Sequence, residues 1–270
     1  MARQRATACV AGLLFVVGVL CELAGSALGA SPVPAEARAQ LVPTGKLRAA
    51  ILTYDPALGS REAAGAPGGV EGDLARMLAD RLGVPLQPIF YDLPAGYAAS
   101  IGALAWDIAF AGREVAGRVD YGPAILLVEH ALLLAPGKSF QDLADLDREK
   151  VRVGVTIGTV DDLFLAQRLH KAFLFRVLVG TDAASLALRA SGADVFAGSV
   201  PFLTKVAESA PGSRIAGPPF AVVPVMVAVS PGRTSALGYV SDFIREAKTT
   251  GLIQEAINRA KLTGVSVAPP

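Results

Sequence analysis

Apolar positions along the chain alternate between two periodicities, and the alternation predicts a repeated order of strands and helices. Short apolar runs at 47–53, 86–91 and 106–110 are typical of buried strands. Between them, apolar residues recur at helical spacing over 73–82 and small residues fill 95–105, which predicts two helices. Strands that alternate with helices pair in parallel through right-handed crossovers. The first part of the chain is therefore predicted to be an α/β unit.

A second unit of the same kind follows. Its predicted strands and helices alternate at 151–156, 161–173, 175–179, 181–190, 193–197 and 201–208. Two longer apolar runs, AILLVEHALLLA at 124–135 and FAVVPVMVAV at 220–229, join the units and are predicted to be strands. Amphipathic helices over 235–249 and 252–261 are expected to return to the first unit, and the tail after Leu262 is predicted to be loose. This organisation predicts a two-lobed clamp with two hinge strands.

The strand at 106–110 leads into the loop where a ligand is expected. Trp106, Ile108 and Phe110 alternate along it, the strand breaks at Gly112, and a charged segment with Arg113 and Arg118 follows. Open α/β sheets bind ligands beyond the carboxyl ends of their strands. We therefore expect a ligand site at this loop, with Phe110 and Gly112 beside it.

Composition narrows the function classes. Lysine and arginine number 25 against 24 aspartate and glutamate, and aromatic residues make up only 6%, so no basic or stacking surface for nucleic acid is expected.

Arg3 and Arg5 precede the apolar run 10–20, and small residues follow it. This pattern predicts a secretory signal peptide over 1–30, with a retained N-terminal anchor as the alternative, and hence export of the mature chain.

The residues that most often carry metal or nucleophilic chemistry are scarce. Cys9 and Cys21 both lie in the predicted signal, so the mature chain has no disulfide and no thiolate. His130 and His170 do not stand at the spacing of a ligand pair, and no phosphate-binding or serine-elbow motif occurs. We therefore expect no metal, no cofactor and no catalytic residue.

Several segments, in this order, resemble extracellular family 3 of the periplasmic solute-binding proteins, the amino-acid-binding type that serves ABC importers. They are GKLRAAI, GDLARMLADRLGV, WDIAFAG, VDYGPA, FQDLADL, VRVGVTIGT, ADVFAGSVPFL and SDFIREAKTTGLIQEAI. The resemblance implies an α/β, two-lobed type II periplasmic-binding-protein fold. Lobe 1 would comprise 43–126 and 225–262, and lobe 2 would comprise 127–224 with the hinge strands.

The resemblance also implies a site for a carboxylate and an ammonium. The family binds the carboxylate through an arginine in a Thr-x-Thr-x-x-Arg loop. Here the threonines are missing and Val115 stands at the arginine's place, so Arg113 or Arg118 could substitute, or both could be solvated charges. The family binds the ammonium through an aspartate two residues before a proline, where this chain has Ser199. A standard amino acid held in the usual way is therefore not expected.

Other residues of the implied site match better. Thr156, Gly158 and Thr159 form a strand–turn–helix junction that is expected to present N–H groups to an anion or carbonyl, or to be an ordinary turn. Tyr54, after the first strand, is expected either in the pocket wall or on the surface. The implied function is a monomeric binding protein that delivers a small polar, carboxylate-bearing solute to a membrane importer permease. The alternatives are a sensor or accessory protein, or an enzyme on the same fold similar to cyclohexadienyl dehydratase.

Overall fold

The structure is a computed structural model that describes residues 33–55, 58–112, 118–190 and 192–270. The predicted signal at 1–30 and Arg113 lie outside these ranges. Within them, each helix is too short or too polar to cross a lipid bilayer.

One mixed sheet runs through the described part of the chain. Its strands are β1 (Leu47–Leu52), β4 (Leu86–Tyr91), β5 (Ile108–Ala111), β6 (Asp120–Leu134), β7 (Arg152–Thr156), β8 (Phe173–Val177), β9 (Val195–Ser199), β10 (Arg214–Val229) and β11 (Val265–Val267). A separate short hairpin joins β2 (Ser60–Arg61) to β3 (Pro67–Gly68). The spatial order is β4-β1-β5-β10-β6-β9-β7-β8, and β11 pairs with β6.

The helices cover both faces of this sheet and connect its strands. They are α1 (Ala35–Leu41), α2 (Gly69–Leu82), α3 (Pro94–Ser100), α4 (Leu143–Leu146), α5 (Val160–Ala166), α6 (Thr181–Arg189), α7 (Val200–Glu208), α8 (Thr234–Thr249) and α9 (Leu252–Arg259), with a 3-10 turn at Ala63–Gly65. Strand β1 pairs in parallel with β4 and β5, and β7 pairs in parallel with β8 and β9. The parallel pairing predicted for both units is confirmed.

The two long strands β6 and β10 join the units. They have 15 and 16 residues and pair antiparallel, with register shifts between Ala216 and Ala221 and again around Met226. Both are longer than the apolar runs that predicted them. Breaks in a ladder bend and twist a strand locally. The α/β, two-lobed fold with two hinge strands, predicted from the sequence, is therefore what the structure has.

The apolar residues of β6 belong to different cores on the two sides of His130. Ile125, Leu126 and Val128 belong to a first core that also holds residues of β1, α2, α8 and α9. Ala131 and Leu133 belong to a second core with residues of α6, β9 and α7. His130 lies between these two sets, where the strand passes from one core to the other.

Several local predictions are wrong. Helix α2 begins at Gly69, four residues before the predicted start at Asp73. Asp73 therefore lies inside the helix, where it forms ion pairs with Arg76 and Arg259. Helices α3 and α5 end earlier than predicted, at Ser100 and Ala166. The C-terminal tail is not loose, because β11 pairs with β6 and Glu129 donates its N–H to the carbonyl of Gly264.

Candidate functional site

A cavity of about 80 Å³ lies between the two halves, where strands β1, β5, β7 and β9 end. Since one ordered water occupies at least about 10–15 Å³ by the same measure, the cavity has room for a small solute only. Its walls mix polar and apolar side chains from both halves and from both hinge strands: Tyr54, Asp55, Leu58, Gly112, Val128, His130, Thr156, Thr159, Val160, Asp161, Ala197, Gly198, Ser199, Phe202, Val223 and Val225.

One polar contact in the cavity wall joins the hinge to the second half. Nδ1 of His130, on β6, lies 2.7 Å from Oδ1 of Asp161, in the first turn of α5. The exposed fractions of the two side chains are 8% and 7%. A buried carboxylate that accepts from a ring nitrogen fixes the orientation of the imidazole. In the sequence His130 lies in an apolar run and Asp161 begins a predicted helix, and no spacing indicates that the two residues pair.

A second contact crosses the cleft. Oγ of Ser199 donates to Oδ2 of Asp55 at 2.5 Å, and it accepts from the N–H of Phe202 at 3.2 Å, which caps α7. Ser199 itself is uncharged, as the sequence shows. The fold nevertheless brings a carboxylate to the same place from the segment after β1, 144 residues away.

In the junction between β7 and α5, polar groups form hydrogen bonds with one another. The N–H of Gly158 donates to Oδ2 of Asp162 at 2.9 Å, and the hydroxyl of Thr159 donates to the carbonyl of Thr156 at 2.8 Å. Asp162 also accepts from Nε of Arg176 at 2.8 Å. The expectation that this turn offers the N–H of Gly158 to a bound anion is therefore wrong, because a carboxylate of the protein already occupies it.

The remaining predicted site residues divide between the cavity and other places. Tyr54 and Gly112 line the cavity, as do Thr156, Thr159 and Ser199. The carbonyl of Gly112 accepts from the hydroxyl of Tyr121 at 2.7 Å. Phe110 is 2% exposed and packs in the first core, Gly158 lies in the turn between β7 and α5, and Arg118 is exposed.

The charged groups of the described cavity wall are acidic, and the predicted cation Arg113 lies outside the described residues. Asp55 and Asp161 contribute carboxylates, and His130 is the group that can gain a proton. The described lining residues include no lysine or arginine. Among the described residues, no three histidine, cysteine, aspartate or glutamate side chains converge to hold a metal ion. This wall suits a solute that brings an amine.

The fold is shared with solved periplasmic solute receptors. The L-cysteine receptor of Neisseria gonorrhoeae superposes with a TM-score of 0.73 at 21% identity, over 87% of this chain and 99% of that one. A protein of Wolinella succinogenes assigned as the binding component of an ABC transporter, solved with lysine, gives 0.72 at 20% identity, over 80% and 95%.

A third similar structure has an enzyme in its lineage. It is the ancestral amino-acid-binding protein AncCDT-1, a precursor of cyclohexadienyl dehydratase, with a TM-score of 0.71 at 19% identity, over 82% of this chain and 97% of that one. No family model matches the sequence. No curated protein matches it either. The structural likeness establishes the two-lobed fold of periplasmic solute receptors.

Proposed function

We propose that this protein is the periplasmic solute-binding component of an ABC importer, closing two lobes on a small polar, carboxylate-bearing solute. The observation that carries the proposal is the cavity between the two halves, whose wall draws side chains from both and from both hinge strands. A ligand enclosed in this way stabilises the closed arrangement by its contacts with both sides.

The chemistry of the wall supports a zwitterion as the solute. A carboxylate and an ammonium that lose water must both find partners. Asp55 and Ser199 meet across the cleft and suit the ammonium. Apolar residues such as Leu58 and Phe202 complete the wall and suit a short side chain.

The domain organisation belongs to the same proposal. Lobe 1 comprises 43–126 and 225–262, lobe 2 comprises 127–224, and a signal peptide over 1–30 directs export. The division of β6 between the two cores supports a hinge near His130. The mature protein acts as a monomer that docks on a membrane permease, or on a sensor in the alternative role.

A ligand screen tests the proposal directly. Mature protein is unfolded thermally with the standard L-amino acids, polyamines, hydroxy acids and dicarboxylates, and bound compounds are recovered for mass spectrometry. A ligand that binds only the folded state raises the melting temperature. At a ligand concentration one hundred times the dissociation constant, it adds about 2.7 kcal/mol to the free energy of unfolding. If no carboxylate raises the melting temperature, the proposed solute class is wrong.

The arginines of the loop after β5 provide a matched pair of variants. Arg113→Ala is expected to weaken carboxylate binding by more than tenfold, about 1.4 kcal/mol, if its guanidinium contacts the solute. Arg118→Ala removes the same charge from an exposed position and is expected to leave the dissociation constant unchanged. An unchanged dissociation constant in Arg113→Ala would mean that Arg113 does not contact the solute, and weaker binding in Arg118→Ala alone would assign the contact to Arg118.

The His130–Asp161 pair favours one second candidate, an enzyme on the same fold. A histidine oriented by a buried carboxylate is the usual arrangement of a general base. Chemical alteration of a recovered ligand, lost in His130→Asn, would favour catalysis over simple binding. Unaltered ligand after prolonged incubation would favour the binding protein.

A further inference from the structure

The C-terminal segment 262–268 forms a further connection between the two units, beside the hinge strands β6 and β10. We propose that this segment, the hinge strap, sets how closely the two units approach, through the contact of Gly264 with Val200 at the start of α7. Gly264 is thereby a positioning residue for Ser199, which precedes Val200 and lines the cleft. The inference deepens the function proposed above and rests on its closing of two lobes.

The hinge strap and a strand of the second unit share one edge of β6, since β10 pairs along the other edge. On the shared edge, β11 pairs with residues 126–128 and β9 pairs with residues 130–134. Glu129, between these two ranges, donates its N–H to the carbonyl of Gly264 at 2.8 Å. The hinge strap therefore meets the end of β9 at the point where β6 passes from one core to the next.

The two sides of the contact are fixed to different cores. Leu262, Val265 and Val267 of the hinge strap pack against the first core. Val200 packs against the second core. A contact between Gly264 and Val200 therefore relates the position of one unit directly to that of the other.

The contact fits a glycine at position 264. Its backbone φ is +68°, in the left-handed region that glycine adopts at little cost. A Cβ there would lie 2.6 Å from Cβ of Val200 and 2.8 Å from its Cγ1. Carbon atoms in ordinary contact lie about 3.5–4.0 Å apart, so the two segments would have to separate by about 1 Å. No rotamer of Val200 relieves the overlap, because its Cβ is fixed to the backbone.

Such a separation reaches the cleft through the chain. Oγ of Ser199 donates to Oδ2 of Asp55 in the first unit at 2.5 Å. Hydrogen bonds between oxygen atoms span only about 2.5–3.0 Å, so a displacement of about 1 Å exceeds their range. Moving Val200 away from the hinge strap therefore takes Ser199 out of the position in which it meets Asp55.

Two glycine variants separate the contact from backbone strain. Gly264→Ala introduces an alanine in the left-handed region together with the overlap on Val200. Gly83→Ala, at the end of α2, introduces the same strain at φ +63°, where a Cβ would meet no described atom within 4 Å. Both variants are expected to lower the melting temperature. Only Gly264→Ala is expected to change the distance between the units.

The distance between the units is measured without solute. Mature protein would keep neither Cys9 nor Cys21, so spin labels attach only at Asp80→Cys on α2 and Arg189→Cys on α6, both exposed. Pulsed electron paramagnetic resonance gives the distribution of label distances. Its mean is expected to shift by about 1 Å or more in Gly264→Ala and to stay unchanged in Gly83→Ala.

Solute binding is measured next by calorimetry, with the L-amino acid that gives the largest melting shift. Its dissociation constant is expected to rise by about tenfold or more in Gly264→Ala and to stay unchanged in Gly83→Ala. Val200→Gly provides a rescue, because it removes the Cβ and both Cγ atoms that the new alanine would meet. Combined with Gly264→Ala, it is expected to restore the label distance and the affinity, in a double-mutant cycle that accounts for the cost of glycine in α7.

The outcomes separate this inference from the proposed function. Equal label distances in Gly264→Ala and Gly83→Ala, or a shift that Val200→Gly does not reverse, overturn the role of the hinge strap and leave the binding protein standing. Absence of any carboxylate ligand for the parent protein overturns the proposed function, whereas the label distances still decide the role of the strap.

Circular dichroism reports whether each variant is folded. If Gly264→Ala does not fold, Val200→Gly alone decides, because it removes the same contact from the side of α7. Its distribution of label distances is expected to be broader than that of the parent. An unchanged distribution overturns the role of the hinge strap.

Discussion

Two buried carboxylates of this protein, Asp107 and Asp161, have opposite surroundings. Asp107 is fully buried at the start of β5 and accepts from the N–H, Nε and Nη2 of Arg48 and from Nη1 of Arg233, at 2.7–3.0 Å. The pKa of Arg48 is raised, because its hydrogen bond to Asp107 outweighs the opposite effect of burial. Oδ1 of Asp161 lies 2.7 Å from Nδ1 of His130, and both side chains line a cavity.

The difference separates a structural charge from one available for a ligand. Asp107 joins β1, β5 and the turn before α8 within the first unit, and its oxygens are taken by two permanent cations. Asp161 is matched by a group whose charge depends on protonation, and it faces the cleft between the units. A carboxylate whose oxygens are bound by fixed cations of the protein stabilises the fold, whereas a carboxylate in the wall of a cavity lies where a solute can contact it.

The largest expected effect is on the structural cluster. Asp107→Ala leaves the guanidinium groups of Arg48 and Arg233 without their buried partner, and is expected to reduce the free energy of unfolding by about 3–5 kcal/mol. Chemical denaturation measures it. Asp73→Ala, which removes partly exposed ion pairs with Arg76 and Arg259, is the control and should cost less than about 1 kcal/mol. An equal loss of unfolding free energy in the two variants would show that burial does not distinguish Asp107 from an exposed ion-paired carboxylate.

An effect on affinity is expected next, in the cleft. Asp55→Asn removes the carboxylate proposed to meet the solute's ammonium, and should weaken binding of an amino acid by more than tenfold, about 1.4 kcal/mol. Binding of the hydroxy acid of the same shape should change far less. Asp92→Asn makes the same charge change at an exposed residue after β4. If it weakens amino-acid binding as much, the effect is long-range and Asp55 is not a contact.

A smaller effect is expected from the contact that crosses the cleft. Ser199→Ala removes the cap of α7 and the bond to Asp55, and should cost about 1 kcal/mol of stability together with some solute affinity. Asp142→Ala removes the comparable cap of α4, where its side chain accepts from the N–H of Asp145 at 2.9 Å. That variant should lose stability but keep its affinity. Unchanged affinity in both would confine Ser199 to a structural role.

The smallest effect concerns an exposed carboxylate. The N–H groups of Lys171, Ala172 and His170 donate to Asp147 and lower its pKa from the ordinary value of 3.8. Its stabilisation is therefore complete above pH 3.8 and is lost as the pH falls through the lowered pKa. The melting temperature of Asp147→Asn should lie below that of the wild type at pH 6, and the two should converge in strong acid. A constant difference across this range would contradict the prediction.

The order of strands and helices could be predicted because each element shows its own periodicity of apolar residues in the sequence. The apolar runs that became β6 and β10 are long and continuous, so strand assignment there does not depend on contacts elsewhere. The start of α2 could not be found in the same way, because Gly69 and Gly72 have poor helix propensity and tertiary packing sets the boundary. Strand β11 has three residues, too few to show a period.

The candidate site was predicted only in part, since its contacts join distant residues. His130 and Asp161 are 31 positions apart, and Asp55 and Ser199 are 144 apart. No local spacing indicates such pairs. The threonines and glycines near strand ends were found because strand–turn–helix junctions have a recognisable sequence. What the turn at Gly158 would bind was misjudged, because Asp162, four residues on, occupies its N–H.

The composition of the two cores has a consequence for how the chain folds. The first core brings together Ala37 and Ile257, so it needs elements from both ends of the described chain. The second core draws on residues between Ala131 and Ala210. A chain synthesised from its N-terminus can therefore complete the second unit while the first still waits for α8 and α9. The first unit, whose residues are synthesised first, is therefore expected to complete its core last.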